Sequence, residues 1–427
     1  MIHSRLVQIL IFLAGLYSLS CTRVSESPST NPSDAKVKFY GDHFGNFLST
    51  FNQTSDGGYI FGGYTISSPS SEQQGFIQKC DSKGNVEWYQ TYGGAKQDLF
   101  WVVHPTSDGG YIAAGATTSF GLGAVQNNQS AYLVKTDGSG NIIWQKTYGG
   151  PSGNIFYEVS EAPDKSFIAV GSQAGQYYVV KTNPNGDTLW TRTLFKGYVR
   201  SFATSVAFDP SGNIAVAGFE NRTKDSFEGN PTYSLLTPGG TFLLKYINYN
   251  NFGNIYKGYG GALYHSYNIN NNAIVPTVIN LSNPLFCEKI ISRPDGFIYV
   301  LNQQGFQSLL LFKIDFNGKL IWSNIYFAKG AVYFNDATNT PDGGLLVSGG
   351  SYDFIQSDHY KYLWLLTTDA NGKKTHESYI PFQQTCWAAG AILKGNEISI
   401  AANMTTTSNI HANYFGFLTT DQNGNIK

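Results

Sequence analysis

Charge is scarce in this chain. Only 13% of its 427 residues are Asp, Glu, Lys or Arg, about half the share usual in a soluble domain. The 28 basic residues are offset by 29 acidic ones, leaving a formal net charge of −1. That balance excludes nucleic acid as a partner, because phosphate binding needs clustered Lys and Arg. Cysteine is equally sparse. Of Cys21, Cys80, Cys287 and Cys386, three at most lie in a folded region, so no disulfide framework staples the fold. Their spacings match no zinc pattern. The seven histidines form no His-x-x-Glu-His motif, and no Gly-x-Ser-x-Gly elbow occurs. Neither a metal nor a cofactor is expected.

What the chain has instead is glycine and aromatic side chains. It carries 47 Gly, 28 Tyr, 29 Phe and 7 Trp, with 41% hydrophobic residues overall. The apolar fraction is enough for a large core. Glycine and aromatics together favour strands and tight turns over helices.

Residues 1–20 read as a secretory signal: His3 and Arg5 precede an apolar run from Leu6 to Leu16. That run is too short to span a bilayer, which takes about 20 apolar residues. Ser18-Leu19-Ser20-Cys21 follows and resembles a bacterial lipobox, with Ser18 where such boxes usually carry Leu. The resemblance implies lipidation of Cys21 and anchoring to a membrane, here the outer membrane. Residues 21–35 are rich in Ser, Pro and Asn and lack aromatics, as a flexible tether should.

The folded part, residues 36–427, is repetitive. Residues 100–150 show the unit best. An apolar stretch meets Ser107-Asp108-Gly109-Gly110, then Tyr111-Ile112-Ala113-Ala114-Gly115, a variable loop, Ala131-Tyr132-Leu133-Val134-Lys135, and finally Asp137-Gly138-Ser139-Gly140-Asn141 and Tyr148-Gly149-Gly150. Asp-Gly-Gly supplies a tight hairpin, and Asp-x-x-Gly-Asn a longer one opened by an Asx turn. A unit is therefore four strands. The residue after the first turn recurs as Ile60, Ile112, Ile168, Ile214, Ile298, Leu346 and Ile398. The second turn recurs at Asp81, Asp137, Asn183, Thr237, Asp315, Asp369 and Asp421. Both marks count seven, at a period near 50 residues, which is the pattern of a β-propeller. The last unit lacks its fourth strand, and Lys36-Val37-Lys38-Phe39-Tyr40-Gly41 matches the missing piece. The expected fold is all-β: a seven-bladed β-propeller, four antiparallel strands per blade, closed by the N-terminal strand. One spacing, Ile214 to Ile298, is long, and residues 247–285 read as an insertion between blades four and five.

Trp88, Trp144, Trp190 and Trp322 each stand four residues after a turn glycine. This resembles the tryptophan-docking motif of quinoprotein (PQQ) dehydrogenase propellers. The whole repeat is still more similar to the Asp-Gly-Gly and Tyr-Gly-Gly propellers of secreted bacterial proteins. The resemblance implies a structural role for these four tryptophans, packed between blades. It implies nothing about activity. The turn is one residue shorter than in quinoproteins, and Leu244 and His376 replace Trp in blades four and six.

In such a ring the short turns lie on one face. The variable loops at 65–74, 117–130, 220–232, 351–359 and 405–412 lie on the other, together with the insertion. The insertion and the strand leading into it carry Tyr246, Tyr249, Phe252, Tyr256, Tyr259, Tyr264 and Tyr267 among Asn and Gly. Tyr249, Tyr256, Tyr259, Tyr264 and Tyr267 are therefore candidate binding residues for a protein or for sugar rings. They serve equally well as packing against the rim. His104, Glu158, Glu161, Glu288, Lys289, Arg293 and Asp336 fall on or near the first strands. They either converge on the axis, for a cation or acid–base work, or are solvated or salt-bridged at the strand ends.

The expectation is a lipid-anchored envelope propeller that binds or scaffolds an outer-membrane protein without catalysis. Surface glycan capture is one alternative. A propeller enzyme, quinoprotein-like or polysaccharide-active, is another.

Overall fold

The computed structural model describes residues 36–41, 45–66, 72–194, 200–221, 230–244, 263–268, 273–278, 285–303, 308–317, 319–352, 362–382, 386–406 and 409–427. Seven four-stranded antiparallel sheets follow one another along the chain, as the repeat predicts. The first strands are Asn46–Gln53, Asp98–Pro105, Asn154–Glu161, Arg200–Phe208, Leu285–Arg293, Ala331–Asn339 and Cys386–Lys394. Each touches the first strand of the next blade, and the last touches the first. These strands are the inner layer of a closed ring.

Closure uses the two ends of the folded chain. Lys38–Tyr40 is the outermost strand of the seventh sheet, pairing antiparallel with Asn409–Asp421. Lys38 lies opposite Phe417, and Tyr40 opposite Phe415. Side chains add to the ladder: the Lys36 ammonium donates to the Ile426 carbonyl at 2.9 Å, and Val37 is buried. The long spacing between blades four and five contains a separate hairpin, Leu263–Asn268 paired with Ala273–Val278.

The blades bury themselves against each other. Seven apolar clusters occur among the described residues, one for each interface between neighbouring blades. Between blades two and three, for example, Val102, Ile112 and Leu133 meet Phe156, Phe167 and Tyr178. The ring closure between blades seven and one is aromatic, with Phe415 and Phe417 against Phe51 and Phe61.

A second contact links blades near their outer edge. In the Asp-x-x-Gly-Asn turn the Asp137 carboxylate accepts the N–H groups of Ser139 and Asn141 at 2.9 and 2.8 Å. Gly140 then takes φ +82°, a conformation that favours glycine. Trp88 of the preceding blade lies against it so closely that a Cβ there would sit 2.8 Å from the ring. The hydroxyl of Tyr92, also from the preceding blade, donates to the Gly140 carbonyl at 2.8 Å. The same clasp recurs: Trp144 lies on Gly186 and Tyr148 donates to its carbonyl at 2.7 Å. Trp322 lies on Gly372, and Tyr326 donates to its carbonyl. At Gly240 the ring is Trp190, and the donor is the Arg192 guanidinium, at 2.8 Å. Across the ring closure Tyr40 donates to Gly84. The indoles of Trp144 and Trp190 also donate to the Pro184 and Pro238 carbonyls, at 3.0 and 3.1 Å.

Two outcomes follow. Removing residues 36–41 strips Val37, Phe39 and Tyr40 from the closing interface and lowers the unfolding free energy by about 3 kcal/mol or more. A urea titration measures this, and an unchanged midpoint would show that the strand does not close the ring. Gly140→Ala combines a strained φ with a clash on Trp88, for a loss of about 3 kcal/mol. Gly109→Ala has a similar φ, +85°, but open space around it, and loses only about 1 kcal/mol. Paired thermal melts distinguish the two.

Candidate functional site: the mouth of the central channel

Every first strand carries a β-bulge at the same place. The ladder to the second strand skips one residue in each blade: Ser49, Trp101, Tyr157, Thr204, Glu288, Asn335 and Ala389. A bulge frees a residue from the ladder and re-aims its neighbours. Here it falls in the half of the strand nearer the variable loops. The flanking residues, such as Leu48 and Phe51 or Phe156 and Val159, are buried between blades. The bulge residue, or the residue two before it, is an aromatic in most blades: Phe47, Trp101, Tyr157, Phe202, Tyr333 and Trp387. All six are half-buried. They stand on the innermost strands, which line the central channel of a propeller.

These rings communicate around the axis. Trp101 and Tyr157 have centroids 6.2 Å apart, Tyr157 and Phe202 6.1 Å, and Phe47 and Trp387 6.2 Å across the ring closure. Each pair joins neighbouring blades. The Trp101 indole N–H is buried and has no hydrogen-bond partner among the described residues.

Charges sit immediately below this collar. The position after the bulge is Glu158 in blade three, Lys289 in blade five and Asp336 in blade six. His104 of blade two reaches Glu158 at 2.7 Å, and Glu158 also accepts the Val159 N–H at 2.9 Å. Lys289 pairs with Asp336. Burial works to lower the Lys289 pKa, but the carboxylates of Asp336 and Glu158 outweigh it, and the pKa is raised. Its field therefore joins blades three, five and six. Glu288, at the bulge itself, is half-buried, and desolvation pushes its pKa up to about 7. Glu161 and Arg293 lie apart from this group, near the opposite end of their strands. Glu161 accepts the Ser107 N–H at 2.7 Å, and Arg293 donates to the Gly344 carbonyl. Of the seven polar residues singled out in the sequence, His104, Glu158, Lys289 and Asp336 thus interact on the inner strands, Glu288 stands beside Lys289 at the bulge, and two brace the far end.

The opposite face is occupied with its own turns. Lys79, Lys135, Lys181 and Lys313, all buried on third strands, pair with Asp56, Asp108, Asp164 and Asp295 of the first turns. The Lys79 ammonium, with the Thr54 hydroxyl and the Gly58 N–H, holds the Asp56 carboxyl well below the usual range. The buried thiols of Cys80 and Cys386 are free, and burial raises the Cys80 pKa to about 11, so neither is a poised nucleophile.

Among the tyrosines of the insertion, Tyr264 and Tyr267 lie on the first strand of the hairpin, in register with Thr277 and Ile274. Tyr249, Tyr256 and Tyr259 lie outside the described residues, as do Cys21 and the central parts of several variable loops. Among the described residues no group of three or more His, Cys, Asp or Glu is placed to hold a metal ion, and no helix is long and apolar enough to cross a membrane.

No family model matches this chain, and no curated protein matches it. Among solved structures it is similar to a puromycin hydrolase, at 11% identity and a TM-score of 0.50, over 90% of this chain and 53% of that one. It is similar also to a protein from Lactobacillus plantarum (13% identity, TM-score 0.49, 78% and 84% of the two chains). A third is the β-propeller domain of the Trilobed protease from Pyrococcus furiosus (9%, 0.47, 90% and 98%). At such identities the likeness concerns the fold alone. The chain is a β-propeller.

Glu288 provides a test of the axial geometry. Its folded pKa, about 7, stands above the ordinary 4.5, so the folded state holds a proton that the unfolded chain releases. The associated stability is present below about pH 4.5 and is lost as pH rises through about 7. Glu288→Gln should therefore match the parent at pH 4 and exceed it at pH 8, by on the order of 2 kcal/mol. Denaturant titrations at the two pH values measure the difference; equal stability at pH 8 would place the carboxyl in water.

Proposed function

We propose that this protein is a lipid-anchored envelope propeller that works as a non-catalytic binding or scaffolding module. Cys21 would carry the acyl chains and residues 22–35 would act as the tether. Several chains, each contributing about 0.8 kcal/mol per buried CH₂, would hold it stably on the outer membrane. The loop-rich face would then engage an outer-membrane protein.

The observation that carries the binding role is the contrast between the two faces. On the short-turn face the Asp and Lys side chains are tied into internal pairs, leaving little to recognise a partner. On the other face half-buried aromatic rings stand above a group of charged side chains, at the end of the blades where the sequence places its variable loops. Rigid scaffolds bear their binding residues in this way. The anchor rests on the Ser18-Leu19-Ser20-Cys21 segment alone.

Purification of the intact protein from its native membrane tests both parts. Mass spectrometry should find Cys21 as an acylated N-terminus, and Cys21→Ser should move the protein into the soluble fraction. An outer-membrane protein should co-purify stoichiometrically, and deleting residues 251–280 should release it without lowering the thermal midpoint. An unmodified Cys21 would remove the anchor; an absent partner would remove the scaffold role.

A further inference from the structure

The aromatic collar and the charges below it are more specific than a general binding face. We propose that the loop-side mouth of the channel binds the end of a neutral saccharide chain. The inference rests on the inner strands and is independent of the lipid anchor and of any protein partner.

Three features select this ligand class. The first is the set of half-buried rings, Phe47, Trp101, Tyr157, Phe202, Tyr333 and Trp387. Large apolar side chains left open on the inside of a ring are unusual, because a neighbouring blade normally covers them. A pyranose offers such rings a flat face of C–H bonds to stack upon, at the cost of little polar desolvation. The second is the polarity of the charged group. Glu158 and Asp336 accept hydrogen bonds, Lys289 donates them, and Glu288 and His104 do either according to their protonation. A sugar hydroxyl donates and accepts at once, so each of these groups finds a use for it. A cation suits the rings, but Asp336 is already matched by Lys289 and Glu158 is already bonded to His104. An anion would meet Glu158 and Asp336. Only an uncharged ligand of mixed donors and acceptors satisfies the whole set. The third is the Trp101 indole N–H, which lacks an acceptor among the described residues. The nitrogen is closed to solvent as the ring stands, and a turn of the indole toward the mouth would let a bound hydroxyl or ring oxygen supply one.

The bulges make this arrangement possible. With strict alternation, the aromatic and charged positions would fall into the interfaces between blades. The extra residue lets two consecutive positions, Tyr157 and Glu158 in blade three, lie clear of the buried pair Phe156 and Val159 that flanks them.

The test uses the mature full-length protein in detergent on an array of neutral hexose, pentose and N-acetylhexosamine oligomers, followed by calorimetry on any hit. At least one oligomer should bind. Trp101→Ala and Asp336→Asn should each weaken it ten-fold or more, while deletion of residues 251–280 should leave the affinity unchanged. Tyr157→Leu serves as a second collar variant should Trp101→Ala fail to fold by circular dichroism. Tetramethylammonium and inorganic phosphate, titrated as charged probes, should give no heat. A silent array overturns the proposal, as does an oligomer whose binding survives both collar variants or is lost with the insertion. Binding of either charged probe at this mouth overturns the choice of ligand class. None of these results bears on whether an outer-membrane protein co-purifies, so this inference and the scaffold role stand or fall separately.

Discussion

A blade has two apolar faces and can cover neither of them alone. Everything else in this molecule follows from that. Each sheet must be flanked on both sides, so the only arrangement without an exposed face is a closed ring, and the ring needs one last interface between chain ends far apart in sequence. Seven inter-blade clusters and one borrowed strand satisfy the condition. The clasp of Tyr, Trp and turn glycine adds direction to that packing. Burial alone would tolerate blades sliding past one another. A hydroxyl aimed at one carbonyl, with an indole against the same residue, fixes the offset between neighbours.

The low charge content then has a physical reading. A ring of apolar interfaces leaves few places for charge, and where charge is present it is put to structural use. Four buried lysines brace the first turns, and Asp side chains organise the second ones. Such pairs contribute little net stability when exposed, but a buried ammonium without its carboxylate would be costly. They hold the turn conformation that each blade needs. The charged group at the axis stands outside this pattern, since it braces no turn and repeats in no other blade.

The blade count, the four-strand unit and the closing strand were all legible in the sequence, because turn chemistry is local and recurs. Recognition of Tyr-Gly as a repeated mark did not reveal its purpose, since the acceptor of the Tyr92 hydroxyl is a carbonyl 48 residues away. The axial residues were named, but their pairing was not. His104 and Glu158 meet only because two blades stack at a particular offset. The bulges, by contrast, leave a trace in the sequence. Buried residues on the first strands are separated by three, as in Leu48 and Phe51, Phe100 and Val103, or Phe334 and Ala337. Strict strand alternation permits only even separations, so an odd one recurring in each repeat announces an extra residue.

The closing strand has a mechanical consequence. Whatever pulls on the chain ahead of Val37 is transmitted first to Lys38–Tyr40, the outermost and shortest strand of its sheet, held by three residue pairs. Load applied there falls first on those pairs and on the bonds that Lys38 and Tyr40 make to the neighbouring turn of blade one. The ring therefore has a designated place to yield: under tension it would open at one seam, release a single strand, and keep its remaining interfaces ready to reclose.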